Sequence, residues 1–474
     1  RSRSLQRSVI VSTVTSAASL AQELAAICGS EQVREDRAAL EQLAVDEVVP
    51  SVMVSPSSAE QIAAVLRLAS ARELCVVPSG GFTAQQIGRV PERIDILLRA
   101  QRLNEILHYD PGDLTVGVGA GCTLAKLQST LAERGQFLPV DPPQSETATI
   151  GGLLATAAHG PLRHGYGGLR DFCIGIQFVT GDGKVAKAGG RVVKNVTGYD
   201  VMKLLIGSHG TLGVIASANF KVSPLPRQTR TFVARFAVLA EAITFRDRIS
   251  ASPLTPMCLE VISPGATEYL ETHQAARDPD DYHPPQMLAR ETAWRVVLRA
   301  TGSDAVLARY RRELGSAVSE ELGTDDEMRF WQRFTNLVSA IRSRHQNAMI
   351  LEMSVAPSEA QNAITAAERA ALDNNFIPAI TGRAGLGLFV IGFVALSVDP
   401  PSAMQYAMAV SALRSALPND SSLTVVSCPT EAKRHFCVWG SSVTDLDSML
   451  AVKRALDPKS ILNRGRHFVE GDAR

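Results

Sequence analysis

Residues 139–222 constrain this chain more than any other stretch. They read PVDPPQSETATIGGLLATAAHGPLRHGYGGLRDFCIGIQFVTGDGKVAKAGGRVVKNVTGYDVMKLLIGSHGTLGVIASANFKV. Glycines recur at irregular spacing, interleaved with Thr149, Thr156, Arg163, Tyr166, Arg170 and Asp171. A packed core does not need that mixture. A long anionic ligand does, because glycine lets backbone N–H groups approach a phosphate with no Cβ in the way. Gly151 and Gly152 stand at the mouth of an apolar helix expected over 150–158, whose positive N-terminal end favours an anion just outside it.

A second loop upstream fits the same idea. Ser58 and Gln61 have capping-box spacing at the start of a helix, and Ile62, Val65, Leu66 and Ala69 then repeat at helical spacing. An apolar strand over 74–77 runs into Pro78-Ser79-Gly80-Gly81-Phe82-Thr83. Small residues after a strand can wrap consecutive N–H groups around a pyrophosphate, although a plain turn would look the same. Two such loops, each after an apolar strand, point to a dinucleotide. Gly117-Val118-Gly119-Ala120-Gly121 invites a nicotinamide reading, but Cys122 stands where the third glycine of G-x-G-x-x-G belongs and no acidic partner is evident. A tight strand-to-helix turn is the better reading there.

These residues carry a family resemblance. Residues 78–83 resemble the first flavin loop of the vanillyl-alcohol oxidase type of FAD-binding proteins, usually an R-G-G-G-T-like run. TIGGLLATAAHG with Arg163, Tyr166-Gly167 and Arg170-Asp171 resembles the second flavin segment. GGRVVKNVTGYDVMKLLIGSHGTLGVI resembles the K-N-x-x-G-Y-D-L and G-T-L-G-V-I runs. The ending Asp457-Pro458-Lys459-Ser460-Ile461-Leu462-Asn463-Arg464-Gly465-Arg466 is similar to D-P-x-x-I-L-N-P-G-R. Within the family, GPLRHGYGGLRDF with GGRVVKNVTGYD looks most like the FAD-binding E subunit of bacterial glycolate oxidase. There are departures. Phe82 replaces the third glycine of the first loop, His209 stands where many relatives carry Glu, and Arg464 stands where Pro is usual. The H-x-G-D-G-N-x-H run of the hydroxy-acid dehydrogenase relatives is replaced by Gly382-Arg383-Ala384-Gly385-Leu386-Gly387, with neither histidine nor carboxylate.

The resemblance implies an α+β chain: a two-lobed PCMH-type FAD-binding domain over 19–229, an α+β cap with a largely antiparallel sheet over 230–429, and a segment over 430–474 that returns to the FAD domain. Residues 1–18 are read as a tail. It implies non-covalent FAD, held by Pro78, Ser79, Gly80, Gly81, Phe82, Thr83, Asp141, Pro142, Thr149, Gly151, Gly152, Thr156, Gly160, Arg163, Gly165, Tyr166, Gly167, Ile215 and Asn463. Asn463 could equally be a turn residue before Gly465. The implied activity is that of a flavoprotein subunit oxidising glycolate or another 2-hydroxy acid, with a second flavin subunit and an iron–sulfur subunit as partners. A non-catalytic electron-relay or scaffold subunit is the alternative. Arg383 is the candidate cation for the substrate carboxylate, its other reading being a structural salt bridge. No general base can be assigned. Lys194 and Asn195 stay open, and Tyr199 and Asp200 read as the start of a helix.

Composition narrows the setting. Equal numbers of basic and acidic residues, 48 each, suggest neither a nucleic-acid surface nor an acidic-lipid patch. Seven scattered cysteines without C-x-x-C encode no iron–sulfur cluster or zinc ribbon, and no two histidines share a metal-ligand spacing. Reduced thiols and a cytoplasmic location are expected, with attachment to the inner face of a membrane through partners as a variant. No transmembrane span is expected, since the most apolar stretch, 384–398, is short and holds three glycines. In the cap, strands are expected over 231–238, 257–262, 294–300, 348–355, 376–381, 388–398 and 422–427. Helices are expected over 240–251, 303–322, 327–345, 358–372 and 402–417, packed on one face of the sheet. Residues 268–292 read as a polar insertion.

Overall fold

The ladder that starts at Val52–Val54 shows how the first glycine loop is placed. Strands Val52–Val54, Ile96–Arg99 and Val76–Ser79 run parallel in that order, with Val33–Arg34 antiparallel on the outer edge. Helix Ala59–Arg72 makes the crossover and buries Ile62, Val65, Leu66 and Ala69. Its cap differs from the expected box. Ser58 Oγ accepts from Gln61 N at 3.2 Å, but the Gln61 side chain returns to Ser57 N at 2.8 Å. The computed structural model describes residues 17–191, 200–271, 292–397, 399–440 and 445–467. Lys194, Asn195 and Tyr199 lie outside them, as do most of the tail and of the polar insertion.

The second lobe is a five-stranded antiparallel sheet, in the order Ile106–Asp110, Thr115–Gly119, Val214–Lys221, Cys173–Val179, Val185–Gly189. Helices Leu124–Ala132 and Ile150–Thr156 cover it and share its core. The glycines at 117, 119 and 121 are explained by packing. A Cβ on them would lie 2.0 Å from the His108 ring, 2.1 Å from Leu103 O and 2.0 Å from Ala100 O respectively.

The cap is an eight-stranded antiparallel sheet: Val318–Leu322, Thr229–Phe236, Trp294–Thr301, Cys258–Ile262, Phe376–Arg383, Leu388–Ala395, Met349–Ser354, Ser422–Ser427. Three expectations are corrected here. Residues 303–322 are not one helix: Asp304–Leu314 ends at Gly315, and Val318–Leu322 is an edge strand. The 327–345 run is two helices, Thr324–Thr335 and Leu337–Arg344, parted at Asn336. Nor do the helices keep to one face. Phe232, Leu259, Val261 and Val296 pack with helices Leu239–Ser250, Asp304–Leu314, Ala360–Leu372 and Ala403–Ala416. Their neighbours Val233, Cys258, Ile262 and Val297 pack with Trp331, Phe334, Leu337 and Ile341 on the other face. The reason is visible in the strands. Cys258–Ile262 and Phe376–Arg383 are buried at every position, so each face needs a cover. On the second face part of that cover is Phe137 and Leu162, contributed by the second lobe.

The C-terminal segment closes the structure. Val76 N donates to Ile461 O at 2.8 Å and Asn463 N donates to Val76 O at 2.9 Å, so residues 461–463 lie along the strand that feeds the first loop. Asp457 accepts from Ile461 N and Leu462 N at 3.0 and 2.8 Å and pairs with Lys453, which also reaches Thr211 O at 2.7 Å. Further upstream, Lys433 pairs with Asp46 at 2.7 Å, and their side chains are 0% and 4% exposed. Burial pushes the Asp46 carboxyl up and the Lys433 ammonium down. Lys433 also donates to Gln86 O, which ties the cap exit to the first lobe. Lys433→Met strands a buried carboxylate. Denaturant unfolding should show a loss of about 3–5 kcal/mol; an unchanged midpoint would contradict it.

Candidate FAD cleft and the charged recess beside it

A cleft of about 890 Å³, counted with its open mouth, lies where the two lobes meet the C-terminal segment. Residues 78–83 form one wall. Thr149, Gly151, Gly152 and Thr156 form the second, and Ile215, Asn463 and Arg466 help to close it. The lobes approach closely. A Cβ on Gly80 would fall 1.9 Å from Thr149 Oγ1, and one on Gly81 would fall 1.8 Å from Thr147 O. These glycines are therefore required by the contact between lobes as well as by any ligand. Phe82, His209 and Asn463 all hold left-handed backbone, with φ of 65°, 51° and 44°. Such conformations persist only where the surroundings impose them, and they gather at ligand sites.

The polar groups of the cleft suit a polyoxygenated anion. Ser79 Oγ, Thr149 Oγ1, Asn463 Oδ1 and Arg466 Nη1 are buried and have no hydrogen-bond partner among the described residues. Such atoms cost free energy unless a ligand or water satisfies them. Arg466 is fixed by donating to Gln85 O and Ile87 O, which leaves Nη1 spare. Asn463 is fixed by Nδ2 donating to His209 O at 2.8 Å, leaving its oxygen spare. Arg99 braces the first loop by donating to Gly80 O at 3.2 Å, with its guanidinium 5.6 Å from the Phe82 ring centre. His209 is held neutral, its pKa pushed down to about 3 by burial and by His467 and Arg466.

Helix Ile150–Thr156 leaves the cleft and delivers His159 and Gly160 to a second site between the lobe and the cap. There Arg383, 4% exposed, contacts His159 Nδ1 and lies 3.5 Å from Glu260 Oε1 and 3.5 Å from Gly160 O. A guanidinium has no acceptor, so His159 Nδ1 accepts and its proton sits on Nε2. Burial, with Arg383 and Arg163 beside it, keeps that ring neutral. Glu260 is fully buried and pushed up to about 8 by desolvation. Asp141 is pushed up to about 7 for the same reason, although it accepts from Leu162 N at 3.0 and 3.2 Å. Arg163 and Glu352 complete the cluster. Desolvation and Arg383 depress the Arg163 pKa, and among the described residues neither side chain has a hydrogen-bond or ion-pair partner.

Comparison with known proteins agrees with this geometry. A family model described as "FAD binding domain" matches residues 50–189, and one described as "FAD linked oxidases, C-terminal domain" matches 225–411 and 432–467. The protein is an FAD-linked oxidoreductase. It is 25% identical over 430 residues to "Glycolate oxidase subunit GlcD" of Bacillus subtilis (strain 168), covering 90% of each chain. It is 27% identical over 442 residues to "D-2-hydroxyglutarate dehydrogenase" of Xanthomonas citri pv. viticola, again covering 90% of each. To "Glycolate oxidase subunit GlcE" of Escherichia coli (strain K12) it is 43% identical over 156 residues, 32% of this chain and 44% of that one. The fold matches p-cresol methylhydroxylase with a TM-score of 0.72 at 15% identity, covering 95% of this chain and 96% of that one. The FAD-binding fold is thus PCMH-type, with a largely antiparallel cap.

The oxidoreductase brings twelve of the residues singled out in its sequence to the cleft lining: Pro78, Ser79, Gly80, Gly81, Phe82, Thr83, Thr149, Gly151, Gly152, Thr156, Ile215 and Asn463. Asp141, Pro142, Gly160, Arg163, Gly165, Tyr166 and Gly167 do not line it. Several of these serve the recess or its frame. A Cβ on Gly160 would sit 2.0 Å from Asp141 O, and one on Gly165 2.9 Å from Met257 Cα in the cap. Gly165 N also donates to Met257 O at 3.0 Å, and Tyr166 packs edge-on against Phe137. Gly167 has φ of 89°, which only glycine adopts readily. The sequence reading missed Arg466, His467, Trp439 and Gln85 in the cleft, and Glu260 and Glu352 in the recess. Arg466 closes the N-R-G-R ending and could have been found there. The two glutamates sit in strands that carry no motif.

Two outcomes follow from the geometry. Gly80→Ala and Gly81→Ala should purify with sharply reduced FAD, while Gly112→Ala, in a surface turn, keeps it. Acid-released flavin per mole of protein is the readout. The second concerns pH. A carboxyl raised to about 8 keeps a proton that the unfolded chain releases near pH 4, so the folded state binds more protons between those values. Stability therefore falls as pH rises through that window. Glu260→Gln should flatten the fall in melting temperature between pH 5 and pH 8.

Proposed function

We propose that this FAD-linked oxidoreductase oxidises a small 2-hydroxy acid in the recess beside its FAD cleft. The carrying observation is the pair of arginines. Arg383 is anchored by Glu260 and His159, and Arg163 faces it with no ion-pair partner among the described residues. Two desolvated guanidinium groups repel, and a carboxylate between them relieves that repulsion while taking up the fork-shaped donors of both. FAD, when bound, accepts the two electrons of the oxidation. The protein's own residues then orient the acid: Arg163 and Arg383 hold its carboxylate, and His159 offers an Nε2–H donor to an oxygen. The relatives of similar length support this substrate class, since their names specify glycolate and D-2-hydroxyglutarate.

We further propose that the chain works in a complex with a second flavin subunit and an iron–sulfur subunit that take the electrons onward. The support is its likeness to two named subunits of glycolate oxidase. Likeness to the D subunit runs through nearly the whole chain, and likeness to the E subunit is stronger but local. A relay role without substrate is the second reading, favoured by that local stretch. No helix among the described residues is long and apolar enough to cross a membrane.

The test is anaerobic bleaching of the bound flavin. Glycolate, D-lactate or D-2-hydroxyglutarate should reduce it in the isolated chain; if none does, alone or with partners, the substrate class is wrong. Arg163→Gln should raise the KM for the active acid roughly 10–100-fold with FAD content unchanged. An unchanged KM would remove Arg163 from the site.

A further inference from the structure

The oxidation removes a hydroxyl proton as well as two electrons, and that proton needs an acceptor within hydrogen-bond reach. Most groups of the recess are disqualified. His159 Nδ1 already accepts from Arg383, so its free nitrogen is a donor. Glu260 is 0% exposed and held against Arg383. Asp141 is tied to the Leu162 backbone. The Tyr166 phenol is pushed up by desolvation and stays protonated. Arg163 and Arg383 have no basic form to offer.

His164, neutral and unpartnered at Nδ1 among the described residues, lies against Gly385 but is not coupled to Arg163 or Arg383. Glu352 is coupled to both, and its position fits. It lies in Met349–Ser354, hydrogen-bonded on both sides by Leu388–Ala395 and Ser422–Ser427, yet it is the one exposed residue of that strand. Its carboxyl is nonetheless desolvated and feels Arg383 and Arg163. Arg163 comes from the second lobe and Arg383 from the cap, so their pull on Glu352 places its carboxyl at the boundary between the two. Register confirms the face. Glu352 is opposite Val390, Val390 is opposite Thr381, and Arg383 is two residues beyond Thr381, so all four share one side of the sheet. Two strand spacings and two residues separate the Glu352 and Arg383 backbones, about 10 Å across and about 7 Å along. Two long side chains reaching inward across Val390 can approach one small acid from two sides.

We propose that Glu352 is the proton acceptor of the reaction, facing the hydroxyl of an acid whose carboxylate lies on Arg163 and Arg383. This rests on the substrate class proposed above. FAD, when bound, would supply the acceptor for the α-hydrogen and its bonding pair, and Glu352 would take the O–H proton. A C=O bond forms, and a 2-oxo acid leaves. Glu352 must be ionised to act, so the rate falls as pH drops through its pKa. That limb lies above the ordinary carboxylate range, because burial outweighs the opposing pull of Arg383 and Arg163. The other titratable neighbours in the cluster are Glu260, Asp141, His159, Tyr166 and Cys258.

The experiment uses the FAD-loaded chain, with anaerobic stopped-flow reduction by glycolate and D-lactate and separate titration with pyruvate. Glu352→Gln should reduce flavin roughly 10²–10⁴-fold more slowly, bind pyruvate within a few-fold of the wild type, and lack the acid limb. An unimpaired rate overturns the assignment, and so does a loss of pyruvate affinity that accounts for the whole effect. A wild type bleached by no 2-hydroxy acid sinks the substrate class and this assignment together. Should Glu352→Gln fail to retain FAD, Glu352→Asp decides: a rate at least tenfold lower with a shifted acid limb is expected, and an unchanged rate and limb overturn the proposal.

Discussion

The contact of the 79–83 loop with Thr147 and Thr149 is the joint on which the rest depends. Two sheets of different construction, one mostly parallel and one antiparallel, meet there with no room for a methyl group on either glycine. That approach brings the loop, the helix Ile150–Thr156 and the C-terminal residues to one cleft. It leaves buried oxygens and nitrogens on Ser79, Thr149, Asn463 and Arg466 to be satisfied by a ligand. A surface of that kind is costly to fold alone, so FAD should contribute to the stability of the joint as well as to chemistry.

The cap adds the second half. Its central strands are buried throughout, and their second face is covered partly by the lobe itself, through Phe137 and Leu162. Charged residues on that face therefore have nowhere to go but inward. Arg299 is neutralised by Glu327 at 2.7 Å, and Arg383 is partnered by Glu260. Among the described residues, Arg163 and Glu352 have no hydrogen-bond or ion-pair partner, although each feels the other's charge across the domain boundary. A fold that needed only stability would pair them or replace them with apolar residues. Leaving both without a partner where the lobe meets the cap fits a site that takes a charged ligand.

Relationship to known proteins follows the same division. The matched domains cover the cleft-forming lobes and the cap separately, and relatives of similar length act on 2-hydroxy acids according to their names. The glycine-rich segment led the sequence reading toward the E subunit, and a stretch of 156 residues does carry that likeness. Over the length of the chain the D subunit is the broader match, because the cap is included.

Much was legible in the sequence by itself. Local physics writes the two glycine loops, the capped helix Ala59–Arg72, the apolar cap strands and the D-P-x-x-I-L-N ending into short stretches; the loops pointed to a dinucleotide, and the family resemblance of these stretches to FAD and to the α+β architecture. Only the tertiary structure decided the rest. Gly160 and Gly165 proved to be sites of close approach to Asp141 and Met257, which no spacing reveals. Edge strand Val318–Leu322 was hidden in a helical pattern, because its pairing with Thr229–Phe236 is non-local. Glu260 and Glu352 are ordinary residues in ordinary strands. They become a buried carboxyl held against Arg383 and a desolvated carboxyl facing both arginines only when sheet register and the docking of the second lobe set them beside Arg383 and Arg163. Their chemistry comes from desolvation and from neighbours more than a hundred residues away in sequence or across the sheet, and neither is a property of the local chain.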